Sequence, residues 1–149
     1  MSVGSEAGTV LFVDDERDLR AAAAQALELE ELDVILCDGA EAALTHLGPE
    51  FRGVLVTDIR MPGTDGIALM HAALDRDADL PVILVTGHGD VELAVQSMRD
   101  GAYDFIEKPY APARLIETVR RALEKRRLTL ENRALRAAVA VPETGADPV

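Results

Sequence analysis

The sequence predicts an α/β fold built on a doubly wound parallel sheet. Four short runs, at residues 10–13, 34–37, 54–56 and 82–85, are continuously apolar and rich in β-branched side chains. Such runs are typical of strands that are covered on both faces, as in a parallel sheet between two layers of helices. These runs and a fifth at 103–106 are separated by 16 to 25 residues, a length that suits crossover helices.

The elements can be justified in order along the chain. The four apolar runs predict the first four strands, and the partly polar run 103–106 suits a fifth strand at an edge of the sheet. Three of the helices between them show apolar residues at helical spacing, and these are Leu19, Ala23, Ala26 and Leu27, then Ile67, Met70 and Leu74, then Val91, Val95 and Met98. Asp90 is placed to cap the helix that begins at Val91. A strand order of 2-1-3-4-5 then gives a flavodoxin-like sheet with five helices.

The last helix is predicted to begin at Pro112 and to be unusually long. Proline suits the first helical position because its missing N–H would have no partner within the helix there. Apolar residues recur every seven positions, at Ile116, Leu123, Leu130 and Ala137. Arginines at intervening positions make this seam imperfect as a coiled coil. We interpret the extension as a linker that pairs two copies of the chain, and a solvated helix remains the alternative.

These elements divide the chain into four parts. Residues 1–8 are expected to be a flexible N-terminus, and residues 9–125 to form one domain. Residues 126–140 form the helical extension, and residues 141–149, interrupted by Pro and Gly, are expected to be a disordered tail.

The charge distribution excludes several classes of protein. The chain carries a net charge of −12, with +5 concentrated in residues 113–136 and −17 elsewhere. Phosphate backbones select Lys and Arg clusters, so we expect no direct nucleic-acid contact by the body of this chain. No apolar run approaches the ~20 residues that span a bilayer, so we expect no membrane segment and a cytoplasmic location. Cys37 is the only cysteine, which excludes an intrachain disulfide.

Polar residues interrupt the apolar runs only at their carboxyl ends. Asp14 and Asp15 follow the first strand, Asp58 the third, Thr86 the fourth and Lys108 the fifth. In an open parallel sheet these ends share one edge, where ligands bind. Three carboxylates close together repel one another unless a cation lies among them, and Mg²⁺ suits such a set of oxygen ligands. Together with a lysine and a hydroxyl group, they indicate a site that transfers a phosphoryl group onto one of the aspartates.

Four motifs at the predicted strand ends carry a resemblance to a known family. They are Asp-Asp-Glu at 14–16, Asp-Ile-Arg-Met-Pro-Gly-Thr-Asp-Gly at 58–66, Thr-Gly at 86–87 and Lys-Pro at 108–109. In this order and spacing they resemble the response-regulator receiver domain of two-component signalling, over about residues 9–123. Residues 85–91, 100–106 and the tail at 124–135 are most similar to the receivers of dicarboxylate-transport regulators, which are nitrogen-regulation-type transcription activators.

The resemblance implies a role for each residue at the site. Asp58 would accept the phosphoryl group from a sensor histidine kinase, and Lys108 would pair with the phosphorylated side chain. Mg²⁺ would be held by Asp15, Asp58 and the backbone carbonyl of Arg60, with Asp14 acting mainly through water. Thr86 would turn toward the phosphoryl group and Phe105 would change rotamer with it. The Lys108–Pro109 peptide is expected to be cis.

The resemblance also implies how the signal leaves the domain. The altered face of the fourth helix, fifth strand and fifth helix, with the C-terminal helix, would change how two copies pair and so switch a transcription activator. The related activators carry an ATPase and a DNA-binding domain after this linker, so DNA would be contacted only through such an output domain. Whether this chain is a fragment or a free-standing receiver stays open.

Two other functions are weighed against this one. A Mg²⁺-dependent phosphohydrolase would use Asp58 as a nucleophile, but a second acid/base motif after Asp58 is missing from the sequence. A non-phosphorylated interaction module would keep the fold and the helix while ignoring Mg²⁺ and phosphodonors. The complete set of aspartates, threonine and lysine favours the signalling function, in which the domain is not a metabolic enzyme.

Overall fold

The computed structural model describes residues 8–146, with side chains as far as Val139. Strands and helices alternate along the chain. The strands are β1 (Thr9–Val13), β2 (Asp33–Cys37), β3 (Gly53–Asp58), β4 (Val82–Thr86) and β5 (Asp104–Glu107). The helices are α1 (Arg17–Leu29), α2 (Ala40–Leu44), α3 (Gly66–Arg76), α4 (Val91–Arg99) and α5 (Pro112–Ala146). The predicted strands are confirmed to within two residues at their ends, the largest difference being the carboxyl end of β3.

The five strands form one parallel sheet in the order β2-β1-β3-β4-β5. In its register Val13 lies opposite Thr57, and Asp58 lies opposite Val85. The carboxyl ends of the three inner strands therefore finish at nearly the same level. The predicted topology is confirmed, and it brings residues 14, 58 and 86 to one edge of the sheet.

Two apolar cores lie on opposite faces of this sheet. On one face, Leu11 and Leu55 pack with buried residues of α2, α3 and α4. On the other face, Phe12 and Val56 pack with α1 and α5. All six residues of β3 are buried, which follows from its central position between the two layers of helices.

Helix α4 leaves most of its large apolar side chains outside the core. Ala94 and Ser97 face the core, whereas Val95 and Met98, two of the residues that indicate the helix in the sequence, are exposed together with Leu93. The helix has nine residues and small side chains on one face, so it can approach the sheet closely through Ala94 and leave its larger apolar side chains outside. The apolar spacing was correct for a helix, but it indicated an exposed apolar face.

Helix α5 is partly a core element, which revises the predicted seam. Leu123 is buried in the core of its own chain, and Ile116 packs against the same core. Leu130 is half-buried, and only Ala137 of the predicted seam is exposed. A side chain that is buried within one chain cannot pair with a second copy. The opposite face of the helix instead exposes Leu128, Leu135 and Val139, at 48%, 61% and 58%.

Two further predictions concern the chain ends and the membrane. The predicted N-terminus (1–8), apart from Gly8, and residues 147–149 of the predicted tail (141–149) lie outside the described residues. Residues 141–146 belong to α5 in the structure, so the helix continues beyond the predicted extension (126–140). Within residues 8–146, each helix is too short or too polar to cross a bilayer.

Candidate phosphoryl-transfer site

The carboxyl ends of β1 and β3 hold a cluster of three aspartates. Asp58 is the last residue of β3, and Asp14 and Asp15 follow the end of β1. Asp14 and Asp58 are buried and Asp15 is exposed. One carboxylate oxygen from each of the three lies within 4.8 Å of the others. This spacing fits a hard divalent cation such as Mg²⁺, which binds a few carboxylate oxygens and keeps some of its water.

Lys108 supplies the positive charge at this cluster. Its Nζ donates a hydrogen bond to Oδ2 of Asp58 at 3.0 Å and lies 3.6 Å from Oδ2 of Asp14. The Lys108–Pro109 peptide is cis. The backbone N–H of Lys108 donates to the carbonyl of Thr86 at 2.8 Å, which continues the pairing of β4 with β5. The backbone thus directs the ammonium group from the end of β5 toward β3.

The electrostatic balance of the site is set by burial and by these charges. Burial raises the pKa of Asp58, and the charge of Asp14 raises it further. The hydrogen bond and charge of Lys108 lower this pKa, but the net pKa is above the ordinary value. Burial lowers the pKa of Lys108, but its hydrogen bond and charge interaction with Asp58 outweigh that effect and raise the pKa overall. An extra cation among the carboxylates would stabilise the ionised form of Asp58.

The loop after Asp58 explains the Met-Pro-Gly-Thr-Asp-Gly motif. Gly63 has a φ of +76°, a conformation that side chains with a Cβ rarely adopt. Asp65 caps α3 by accepting a hydrogen bond from the N–H of Ala68 at 2.8 Å. A Cβ on Gly66 would collide with the carbonyl of Asp58, so only glycine allows α3 to begin this close to the acidic cluster.

Thr86 and Phe105 lie on neighbouring strands beside the cluster. Thr86 ends β4 and is fully buried, and its hydroxyl donates to the carbonyl of Gly87 at 3.2 Å. Phe105 is half-buried on β5 and packs against the core. The hydroxyl of Thr86 is therefore held by a single long hydrogen bond, which a better acceptor could replace.

Arg60 and Asp90 form an ion pair that the sequence did not predict. The guanidinium of Arg60 donates two hydrogen bonds to the carboxylate of Asp90, at 2.9 and 2.7 Å. Asp90 occupies the N-cap position of α4 as expected, but its side chain makes no hydrogen bond with the first turn of that helix. Its carboxylate is bound by Arg60 instead. The pair links the loop after β3 to the loop after β4.

Comparison with known families accounts for both the fold and the motifs. The family model of the response regulator receiver domain matches residues 10–120 of this chain. The chain belongs to the response-regulator receiver family.

Two similar full-length regulators are both C4-dicarboxylate transport transcriptional regulatory proteins called DctD. This receiver chain is 52% identical to the protein of Rhizobium meliloti over 141 residues, which is 95% of this chain and 31% of that protein. It is 56% identical to the protein of Pseudomonas aeruginosa over 131 residues, 88% of this chain and 28% of that protein. The chain thus spans about a third of the length of these relatives.

A solved structure of similar length shows the same fold. The receiver domain of NtrX from Brucella abortus matches with a TM-score of 0.72 and 39% identity, over 77% of this chain and 98% of that one. The receiver is therefore similar to those of transcriptional regulators in both sequence and fold.

A second group of charges, which local sequence patterns also do not reveal, lies at the other end of the receiver. Arg126 is 1% exposed and pairs with Asp77 at 2.8 Å. Arg133 binds both Asp77 and Asp79. The charge excess in residues 113–136 was recognised from the sequence, but its partners lie some 50 residues earlier in the chain, so local patterns could not reveal them.

Proposed function

We propose that this receiver is a phosphorylation switch in which Asp58 accepts a phosphoryl group from the phosphohistidine of a sensor histidine kinase. The observation that carries the proposal is the hydrogen bond from Lys108 to Asp58 within a cluster of three aspartates. A buried aspartate next to a fixed ammonium group suits an acceptor whose product carries additional negative charge.

The transfer requires little chemistry beyond positioning. A carboxylate oxygen of Asp58 forms the new O–P bond as the N–P bond of phosphohistidine breaks, and the imidazole departs with the bonding electron pair. The ammonium group of Lys108 neutralises charge that gathers on the oxygens around phosphorus.

Mg²⁺ is part of this proposal. Asp14, Asp15, Asp58 and the backbone carbonyl of Arg60 would hold it, with Asp14 acting mainly through water. When bound, the ion supplies charge neutralisation for the phosphoryl oxygens. The close approach of the three carboxylates and the raised pKa of Asp58 support a cation at this position.

The switch itself is assigned to Thr86 and Phe105. A phosphoryl oxygen on Asp58 is a stronger acceptor than the carbonyl of Gly87, so the hydroxyl of Thr86 would turn toward it. Phe105 would then fill the space that Thr86 leaves, and the face formed by α4, β5 and α5 would change. Exposed apolar side chains on α4, such as Leu93 and Met98, support a contact surface there.

We further propose that the kinase docks on an apolar groove beside the site. The groove has a volume of about 430 Å³ and lies between α1 and the loop after β5. Leu19, Ala22 and Ala26 line one side, and Pro109 and Tyr110 line the other. Lys108 borders the groove and also contacts Asp58, so a helix seated here could place a phosphohistidine next to the acceptor.

The dimer proposed from the sequence is retained with a different seam. Leu128, Asn132, Leu135 and Val139 follow the alternating spacing of four and three residues that a coiled coil requires. Leucine at the d positions, with valine and a single asparagine at the a positions, favours a parallel coiled coil of two helices. The exposure of these apolar side chains supports pairing with a second copy.

The wider role of the protein is also a proposal. Its similarity to transcriptional regulators supports control of transcription, with DNA contacted by an output domain and not by this acidic domain. A free, buried thiol at Cys37 agrees with a cytoplasmic location. The family favours signalling over metabolic turnover, and neither a phosphohydrolase nor a non-phosphorylated module accounts for the complete set of aspartates and lysine.

The direct test is phosphorylation by a small phosphodonor in the presence of Mg²⁺. Intact-mass analysis is expected to show one added phosphoryl group per chain in the wild type and in the Asp38→Asn control, which changes an exposed aspartate. Asp58→Asn is expected to show none. Equal labelling of Asp58→Asn and the wild type would contradict the proposal.

A further inference from the structure

The C-terminal helix is attached to the body by a group of charges far from the phosphorylation site. Asp77 and Asp79 lie in the loop between α3 and β4, and Arg126 and Arg133 lie two helical turns apart on one face of α5. We refer to these four residues as the α5 clamp. Each arginine reaches the same carboxylate of Asp77, so the helix is held at two points along its length.

The inner half of the clamp is buried and multiply bonded. Nε of Arg126 donates to the carbonyl of Phe51 at 3.0 Å, and one of its terminal nitrogens lies 2.8 Å from Oδ2 of Asp77. A buried guanidinium with a fixed fork of donors allows very little rotation of the helix that carries it. Moving it away from these acceptors would leave a buried charge without partners, which is strongly unfavourable.

The outer half of the clamp extends the attachment by two turns. Arg133 donates to both oxygens of Asp77, at 2.9 and 2.7 Å, and to Oδ2 of Asp79 at 3.0 Å. It also donates to the carbonyl of Pro49 at 3.3 Å. The contact between α5 and the body therefore continues well beyond Leu123, where the last apolar core residue of the helix lies.

The clamp lies opposite the exposed apolar seam. Leu128 is two residues after Arg126 and Leu135 is two residues after Arg133, which places both about half a turn from the clamp residues. The face of α5 that carries Leu128, Leu135 and Val139 is thus turned away from the body. A helix held at both clamp residues cannot rotate to bury this seam against its own domain.

We propose that the α5 clamp fixes the rotation of the linker helix relative to the body and thereby sets the orientation of the two bodies in the dimer. In this arrangement the body and residues 112–139 of α5 form one rigid unit. A change in the orientation of the body then moves the helix with it, because no flexible segment lies between them. The inference rests on the dimer of the proposed function for its partner, but the clamp itself lies within one chain.

The test measures the distance between two bodies in the full chain. A spin label on Glu28→Cys, an exposed position on α1, in a Cys37→Ser background gives one label per copy. We expect a single narrow distance distribution for this protein. Arg133→Ala and, separately, Asp79→Ala should leave the dimer mass unchanged and broaden the distribution. Both changes leave the buried pair of Arg126 and Asp77 in place, so the fold is retained.

Arg127→Ala is the matched control, because Arg127 pairs only with Glu124 and Glu131 of its own helix among the described contacts. The distance distribution of the spin-labelled Arg127→Ala variant is expected to match that of the labelled protein without this change. A distribution as narrow in Arg133→Ala as in the control would overturn the clamp proposal.

A second measurement separates the clamp from the dimer. Should the wild type be monomeric, the proposed dimer fails, and the clamp is then tested by amide hydrogen exchange in residues 126–135. Exchange several-fold faster in Arg133→Ala than in Arg127→Ala would support a clamp within one chain. Equal exchange in the two variants would overturn it.

Discussion

Lys108 donates a hydrogen bond to Asp58 across 3.0 Å, although 50 residues separate the two in the chain. The parallel sheet explains this approach, since β3 and β5 both end at the edge where the acidic cluster lies. The contact gives the proposed acceptor a positive neighbour before any ligand arrives. It also predicts how the site responds when either residue is changed.

Replacing Lys108 is expected to slow phosphorylation. Lys108→Ala removes a preorganised positive charge from the proposed acceptor, an effect worth about 10²-fold or more in related charge-stabilised reactions. The initial rate of labelling by a small phosphodonor measures it. Lys125→Ala is the control, because that lysine lies over the ring of Tyr103 at 5.5 Å and away from the site. Equal rates in the two variants would exclude a role for Lys108.

The raised pKa of Asp58 predicts that the acidic cluster costs stability in the absence of a cation. A carboxyl whose pKa is higher in the folded state contributes stability only below its ordinary pKa, and this contribution is lost as the pH rises through the folded pKa. Asp58→Asn should therefore be more stable than the wild type at pH 7 with EDTA present. The difference should shrink as the pH falls toward about 4. Urea unfolding across this range measures it, and a constant difference would be inconsistent with the raised pKa.

The Asp77 carboxyl is expected to show the opposite pH dependence. The hydrogen bond from Arg133 lowers the pKa of Asp77 well below its usual range, with Arg126 adding to the effect. Its contribution is present above the ordinary pKa and is lost as the pH falls through the folded pKa. Asp77→Asn breaks a buried pair and should cost about 3 kcal/mol at pH 7. The loss of unfolding free energy in Asp77→Asn should become smaller in acid. The exposed Asp75→Asn should change the free energy of unfolding little.

The Arg60–Asp90 pair is expected to hold the start of α4. Arg60→Ala removes both hydrogen bonds to Asp90 and leaves a mostly buried carboxylate without that partner. Amide exchange in residues 91–94 should become several-fold faster, while exchange in α3 stays unchanged. The exposed Arg99→Ala at the other end of α4 is the control. Unchanged exchange in residues 91–94 of Arg60→Ala would show that the pair does not anchor the helix.

The two proposed dimer seams differ in what they predict for substitutions in α5. The revised seam includes Leu135, and the seam predicted from the sequence includes Ala137. Leu135→Asp places a charge in the proposed coiled coil and should convert the dimer to a monomer. Ala137→Asp lies on another face of α5 and should leave the dimer intact, although Ala137 belongs to the seven-residue repeat seen in the sequence. Light scattering of the full chain compares the two. A monomer for Ala137→Asp and a dimer for Leu135→Asp would restore the original seam.

The sequence predicted features that depend on strands more successfully than those that depend on helix faces. A short, β-branched apolar run such as residues 82–85 is typical of a buried strand, and its polar end residue marks the shared edge. Helix α4 has apolar residues on two faces, and only the packing of Ala94 against the core shows which one is buried. For α5, the seven-residue repeat includes Leu123, which is buried in the core of its own chain, so the spacing alone did not distinguish core residues from residues that could contact a second copy.

The ion pairs were missed for a different physical reason. Arg60 and Asp90 are 30 residues apart, and Arg133 and Asp77 are 56 apart. Charged residues are common along the chain, so the partners of these residues become visible only when the fold has placed distant segments side by side. The aspartates at the strand ends were found because topology alone brings them together.

The most direct measurement is to locate the phosphoryl group on the chain. Borohydride reduces an aspartyl phosphate to an alcohol, so treatment after phosphorylation with Mg²⁺ should convert residue 58 to homoserine, as identified by peptide fragmentation. We expect this conversion at Asp58 and at neither Asp14 nor Asp15. Conversion at one of those two residues, with Asp58 unchanged, would contradict the assignment of Asp58 as the acceptor.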